Sequence, residues 1–192
     1  MKVTNSVFLG SLLVGSLAVT LPSVALAEVT YERMADAIHD VIEADRAVYA
    51  DLVVNRLAIE EEVIEASEQY HKNSALPLPA QMLRASAEKV RDKKSGFSFS
   101  LVSEWPINSQ NKVKTDVEIE GMNFVKDTKN SGTNFYEEEM LAGKRYYTAM
   151  YADVAVSNSC VSCHNNHKDS PKKDFKINDV MGAVLIRIPL SK

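Results

Sequence analysis

The chain has only two cysteines, and both fall in Cys160-Val161-Ser162-Cys163-His164. Two thiols at this spacing can each add to one vinyl group of a single porphyrin, and the next residue then offers an imidazole to its iron. This is the spacing of c-type haem attachment. The same residues have three other readings: a structural disulfide, a thioredoxin-like redox pair, or half of a zinc site. A thioredoxin-like pair belongs at a helix start after a strand in a βαβ setting, which the flanking sequence does not offer. Zinc needs two more ligands, and His39, His71 and His167 do not stand at zinc-site spacing. The expectation is one covalently attached haem c on Cys160 and Cys163, with His164 on the iron.

The behaviour of such an iron depends on its other face. His39 is the favoured second metal ligand. At about 100° per residue it shares a helix face with Ile42, Arg46, Ala50, Val53 and Leu57. Its other reading is a half-buried core histidine or a solvent-facing one. His71 ends the same apolar run, where a histidine simply faces the helix dipole. His167 is close to the covalent anchor and suits an outer contact better than the far face. Met82, Met122, Met140, Met150 and Met181 read as core filler, and an open sixth position is the remaining alternative. Haem propionates need cationic donors. Arg46 and Lys172 are the choices, with Arg84 and Lys173 behind them. Trp105, Tyr146, Tyr147 and Phe175 are candidates to line the ring, or ordinary core residues.

These residues must be positioned by a small set of elements. Residues 31–70 contain no Gly or Pro, and their apolar residues recur at helical spacing, which predicts one long helix ended by Asn73, Ser74 and Pro77. Forty residues of helix would span about 60 Å, so part of it must pack on another chain, stand in solvent, or bend. A shorter helix is predicted over 79–90. Phe97 to Val102 alternates as a half-buried strand does. Thr115 to Glu118 form a capping box that starts a helix to about Lys126. Residues 133–141 and 144–152 form a hairpin turning at Ala142-Gly143. Residues 154–166 read as a loop holding the cysteines, and 180–190 as a central strand. This order predicts an α+β domain with a small antiparallel sheet and helices packed on one face.

The N-terminus reads as an export signal: Lys2, an apolar stretch over 7–21, and the small-x-small site Ala25-Leu26-Ala27. The expected organisation is a signal peptide over 1–27 and one domain over 28–192, located in the periplasm; an uncleaved anchor is the alternative. An oxidising compartment suits either a disulfide or haem attachment. The formal net charge of −4, with no dense basic patch, argues against a nucleic-acid partner.

Cys160 to Val184 carries a resemblance. It is similar to the single-haem, c-type PAS-like domains of periplasmic sensors and stand-alone cytochromes, the Tll-like haem domain family, formerly a domain of unknown function. Residues 77–83, 105–111 and Tyr151-Ala152-Asp153-Val154 resemble the same family. The resemblance implies a PAS-like antiparallel sheet with a long N-terminal helix and further helices around one covalent haem. It also implies haem attachment by Cys160, Cys163 and His164. In at least one member a cysteine on the N-terminal helix is the far ligand. This chain has no third cysteine, so His39 is the nearest chemical substitute. Where the family has Gly-Asp-Val, this chain has Asn178-Asp179-Val180, and Asn tolerates the same left-handed turn. The expected function is a redox- or gas-responsive sensory haem domain acting through a separate redox or signalling partner, rather than an enzyme, with a peroxidase-like activity as the enzymatic alternative. A small monohaem electron carrier is the alternative. A homodimer through the long helix is a further expectation.

Overall fold

The computed structural model describes residues 29–190; the export signal expected over 1–27 lies outside the described residues. Thr30, in extended conformation, accepts the Arg33 N–H at 3.2 Å and starts α1 (Tyr31–Val48). The helix widens into a π-helical segment, Tyr49–Glu60, and stops at Glu61. The single helix expected to residue 70 is therefore about ten residues shorter. Glu60, Glu61 and Glu62 place three like charges in a row, and Glu62 turns left-handed at φ 51°. The chain folds back on itself there. Ala66 and Leu76 form an isolated bridge, and a separate short helix, α2 (Tyr70–Asn73), lies between them. Asn73 and Ser74 end this short helix, not the long one. The reversal shortens the helix, while Val41, Val48 and Leu52 along it remain exposed.

Pro79 occupies the first turn of α3 (Pro79–Lys93), where its missing N–H costs nothing, and the Gln81 side chain caps the Leu78 N–H at 3.0 Å. β1 (Ser98–Val102) and α4 (Asp116–Lys126) follow, the latter started by the Thr115/Glu118 capping box. β2 (Phe135–Leu141) and β3 (Lys144–Val154) form the expected hairpin. Its two-residue turn puts Ala142 and Gly143 at φ 48° and 76°, the mirror-image turn that strand twist favours. Residues 158–166 are helical, not a loop: Ser157 accepts the Cys160 N–H at 3.4 Å and starts α5 (Asn158–Asn166). A short polar stretch with cysteines hides its cap from a periodicity argument. β4 (Val180–Pro189) is last.

The sheet is antiparallel in the order β1-β4-β3-β2. β4 is central and buried on both faces, and its alternation separates two cores. Val184, Ile186 and Ile188 meet Ala35 and Ile42 of α1 and Leu83 of α3. Ala183 and Leu185 meet Met122 and Val125 of α4. Helices thus cover both faces, not the one expected, because β4 is apolar at nearly every position. On the α4 face, Arg187 bonds Glu118 at 2.8 Å and Glu139 at 2.6 Å, and Thr148 donates to Glu139 at 2.6 Å. A third cluster, Ala155, Phe175 and Met181 with Trp105, Cys160 and Val161, holds α5 against the end of the sheet. Among the described residues, no helix is long and apolar enough to cross a membrane.

Candidate functional site

α5 brings the chemistry-bearing residues together. Cys160 and Cys163 are one turn apart on the same side of the helix. Both thiols are free, with Cys160 half-buried and Cys163 exposed. The helix is anchored on its inner side by a reciprocal pair: Asn165 donates to the Phe175 carbonyl at 2.9 Å, and the Phe175 N–H donates back at 3.0 Å. The Phe175 ring then stands edge-on to His164, centroids 5.9 Å apart. His164 Nδ1 is buried with no hydrogen-bond partner. Burial pushes the His164 pKa down, helped by the nearby His167 and Arg46 charges and opposed by Asp153, so its imidazole is neutral at pH 7. A neutral imidazole is the form that binds a metal. Burial, with the Glu68 and Cys160 charges, pushes the Cys163 thiol up.

Arg46 of α1 and Asp153 of β3 close one side. Their contact is bidentate, 2.5 Å and 3.2 Å, with side chains 27% and 17% exposed. Burial alone would lower the Arg46 pKa, but Asp153 outweighs it and holds the guanidinium charged. Cys160 is near enough to add to that effect. Lys172 lies on the other side, over the rings of Phe175 at 4.9 Å and Trp105 at 5.5 Å, and pairs with Asp174. The left-handed turn before β4 is made by Asn178 at φ 70°, a backbone that Asn tolerates. Next to Cys163 lies a cavity of about 440 Å³, walled by residues 66–69, Asn73, Leu78 and His167. His167 Nε2 reaches Glu68 at 3.1 Å across it.

His39 goes elsewhere. Its ring stacks on Tyr151, centroids 3.9 Å apart and planes within 10°, and the side chain is 13% exposed. Burial lowers its pKa against the acids around it, Glu43, Asp40, Asp36 and Asp153. It lies seven residues before Arg46, about 10 Å along the helix, and among the described residues no hydrogen bond or ring pair joins it to His164. His71 is exposed, its ring tilted by 35° against that of its neighbour Tyr70. Met122, Met150 and Met181 are core, whereas Met140 is 62% exposed. Arg84 pairs with Glu88. Tyr147 packs with Tyr31 and Tyr136, and Tyr146 faces Glu139 across the hairpin. Sequence reasoning missed Asp153 as the partner of Arg46. Its signal was an acid two residues from Tyr151, and so on the same buried strand face.

The residues fit a covalently held haem. The donor set is two free thiols one turn apart and a neutral imidazole whose buried nitrogen lacks a partner. Among the described residues, no three His, Cys, Asp or Glu side chains converge as a bare metal ion would need.

A family model described as Tll0287-like matches residues 24–189. No curated protein matches the chain. The crystal structure of the cyanobacterial heme-protein Tll0287 shares the fold, with a TM-score of 0.56 at 14% identity, over 85% of this chain and 98% of that one.

Proposed function

We propose that this chain, which belongs to the Tll0287-like family, is an exported single-haem c-type protein that serves as a redox- or gas-responsive sensory module for a separate partner. The observation that carries the reading is α5, with free Cys160 and Cys163 one turn apart and His164 buried with an unpartnered nitrogen. The fold likeness to a protein whose title names it a heme-protein supports it. Bound haem supplies a one-electron couple and an iron that small gases can ligate. The two thiols would fix the ring in place, and His164 would hold the iron from the α5 side. Arg46 and Lys172 supply positive charge for its carboxylate arms.

His39 enters this reading as the far ligand only if its ring leaves Tyr151, so the sixth position is the one that responds. Met34, Val41 and Val48 repeat every seven residues along α1 and are 38%, 61% and 55% exposed, which supports pairing with a second copy through this helix. Sedimentation at high concentration tests that, and a monomer removes it.

The main test is expression with a c-type haem-maturation system, followed by acid extraction. Haem retained by the parent and lost from Cys160→Ala/Cys163→Ala is expected; haem stripped from the parent refutes covalent attachment. Carbon monoxide binding by the reduced protein favours the sensory reading. Indifference to carbon monoxide removes gas sensing and leaves redox sensing or electron transfer.

A further inference from the structure

Four tyrosines run in single file from the first residue of α1 onto the sheet beneath it. Tyr31 stacks with Tyr147 at 5.9 Å, Tyr147 with Tyr136 at 6.1 Å, and Tyr136 meets Tyr151 edge-on at 6.3 Å. Tyr136, Tyr147 and Tyr151 share one sheet face, because Tyr136 pairs opposite Ala149 between the other two. The outer end, Tyr31, is 36% exposed and the inner end, Tyr151, is 2% exposed. Tyr151 is two residues before Asp153, hence about 7 Å along the strand from the acid that pairs with Arg46 beside Cys160. Asp36 sits on the inner pair: its Oδ1 accepts Tyr136 Oη at 2.7 Å and Tyr151 Oη at 2.8 Å.

Ordinary packing explains rings on a sheet face. It does not explain two phenols, Tyr151 buried and Tyr136 half-buried, aimed at one carboxylate oxygen. A phenol loses an electron readily only if its proton can leave at the same time, and a carboxylate at hydrogen-bond distance is the base for that. Burial, with the Asp36 hydrogen bond, keeps both phenols protonated at neutral pH. The proton therefore moves only with the electron.

We propose that Tyr151, Tyr136, Tyr147 and Tyr31 form a one-electron relay that carries oxidising equivalents from the Cys160–His164 site to the surface, with Asp36 as its proton acceptor. The placement of the oxidising end rests on the haem reading above. The oxidant is a peroxide arriving at that site, and the reductant is a soluble hydrogen-atom donor, such as an enediol, meeting Tyr31. In the first step the Tyr151 O–H bond breaks, its electron goes to the oxidised site and its proton to Asp36. Tyr136 then reduces the Tyr151 radical. The proton on Asp36 returns to Tyr151 and the Tyr136 proton replaces it, so Asp36 never holds more than one. Tyr147 then reduces the Tyr136 radical, Tyr136 recovers its proton from Asp36, and the partly exposed Tyr147 gives its own proton to solvent. Tyr31 in turn reduces Tyr147, which takes a proton back from solvent, and Tyr31 releases its proton to solvent. The donor restores the Tyr31 O–H bond. Two such passages give a peroxide the two electrons it needs to become two waters, with two protons taken from solvent at the site and two released at Tyr31.

The test mixes the haem-loaded protein with hydrogen peroxide and reads tyrosyl radical by freeze-quench electron paramagnetic resonance. The relay predicts a radical in the parent that disappears in Tyr151→Phe. In Tyr147→Phe, which breaks no Asp36 bond, the radical persists and ascorbate no longer clears it quickly. Asp36→Asn lowers the radical yield. A radical unchanged in Tyr151→Phe and cleared normally in Tyr147→Phe overturns the relay. A second arm is independent of haem. A ruthenium photo-oxidant on Cys163 of the Cys160→Ala chain places the oxidant at the site by light, and the same two phenylalanine variants are compared. Loss of signal in Tyr151→Phe with slowed clearance in Tyr147→Phe supports the relay even if haem attachment fails, and a signal unchanged in Tyr151→Phe refutes it.

Discussion

Replacing Arg187 with Met should reverse the way stability responds to pH. The guanidinium sits between two carboxylates, 2.8 Å from Glu118 and 2.6 Å from Glu139, whose side chains are 6% and 4% exposed. With charge centres about 4 Å apart, each attraction is worth about 4 kcal/mol at an effective dielectric constant of about 20, but much of that offsets the desolvation of the three charges. The net cost of removing the central cation is set by what the stranded acids can do. At pH 7 one of them can escape by taking a proton, at about 3 kcal/mol for a carboxyl of ordinary value 4.5. That agrees with the about 3–5 kcal/mol typical of a broken buried pair, and corresponds to a melting point lower by about 10 °C. In the parent, burial alone would raise the Glu139 pKa, but hydrogen bonds from Arg187 and Thr148 and the Arg187 charge outweigh it and hold it below 4.5. The folded parent therefore releases its proton first, and this contribution is present above pH 4.5 and lost as pH falls through the folded value. In Arg187→Met the folded state keeps a proton that the unfolded chain has given up. Its stability falls as pH rises above 4.5, by about 1.4 kcal/mol per pH unit. Urea unfolding at mildly acidic and neutral pH measures both slopes. A deficit below about 1 kcal/mol, or one equal at the two pH values, refutes the reasoning, and adding Glu118→Gln and Glu139→Gln should remove it.

Gly182→Ala would place a methyl carbon 2.6 Å from the Val102 carbonyl oxygen. The β1–β4 pairing must part, at about 3 kcal/mol, measured by chemical unfolding. Ala142→Gly should stabilise the hairpin by about 1 kcal/mol, because Ala142 holds φ 48°; a lower unfolding midpoint would contradict this. His39 is kept neutral by burial, with its pKa below 6.5. The unfolded chain takes that proton first, so stability is lost as pH falls below 6.5, and His39→Phe, which keeps a ring on Tyr151, should flatten that slope. The same variant leaves the haem absorption spectrum unchanged if His39 is not the far ligand, and changes it if His39 is.

The elements legible in the sequence are those whose signal is local. The Thr115/Glu118 box, Pro79 at a helix start, the Ala142-Gly143 turn and the apolar run of β4 each carry their cause within a few residues. Asn178 in the left-handed turn was legible because few residue types tolerate that backbone. The departures are long-range. Periodicity over 31–70 cannot show that three consecutive acids will end the helix and send the chain back over α5. The helix at 158–166 starts on a serine hydroxyl within a polar stretch, where no periodicity exists to find. The motif at 160–164 names its own chemistry by spacing. The Arg46–Asp153 contact, 107 residues apart in the chain, depends on β3 and α1 packing face to face. His39 satisfied the helical pattern for a far ligand, but that pattern gives only a face, and on this face the nearest ring is Tyr151.

The central place of β4 has a consequence for the order of events in the life of the chain. β1 and β3 are both complete before β4 is made, yet neither touches the other, and each needs β4 as its neighbour. Until residues 180–189 emerge, β1 is an orphan strand and the hairpin is exposed on one edge. Cys160 and Cys163 emerge earlier than that. The thiols are thus available on a chain whose sheet is still open, and Met181 at the start of β4 closes against the cluster that holds Cys160 once that strand arrives.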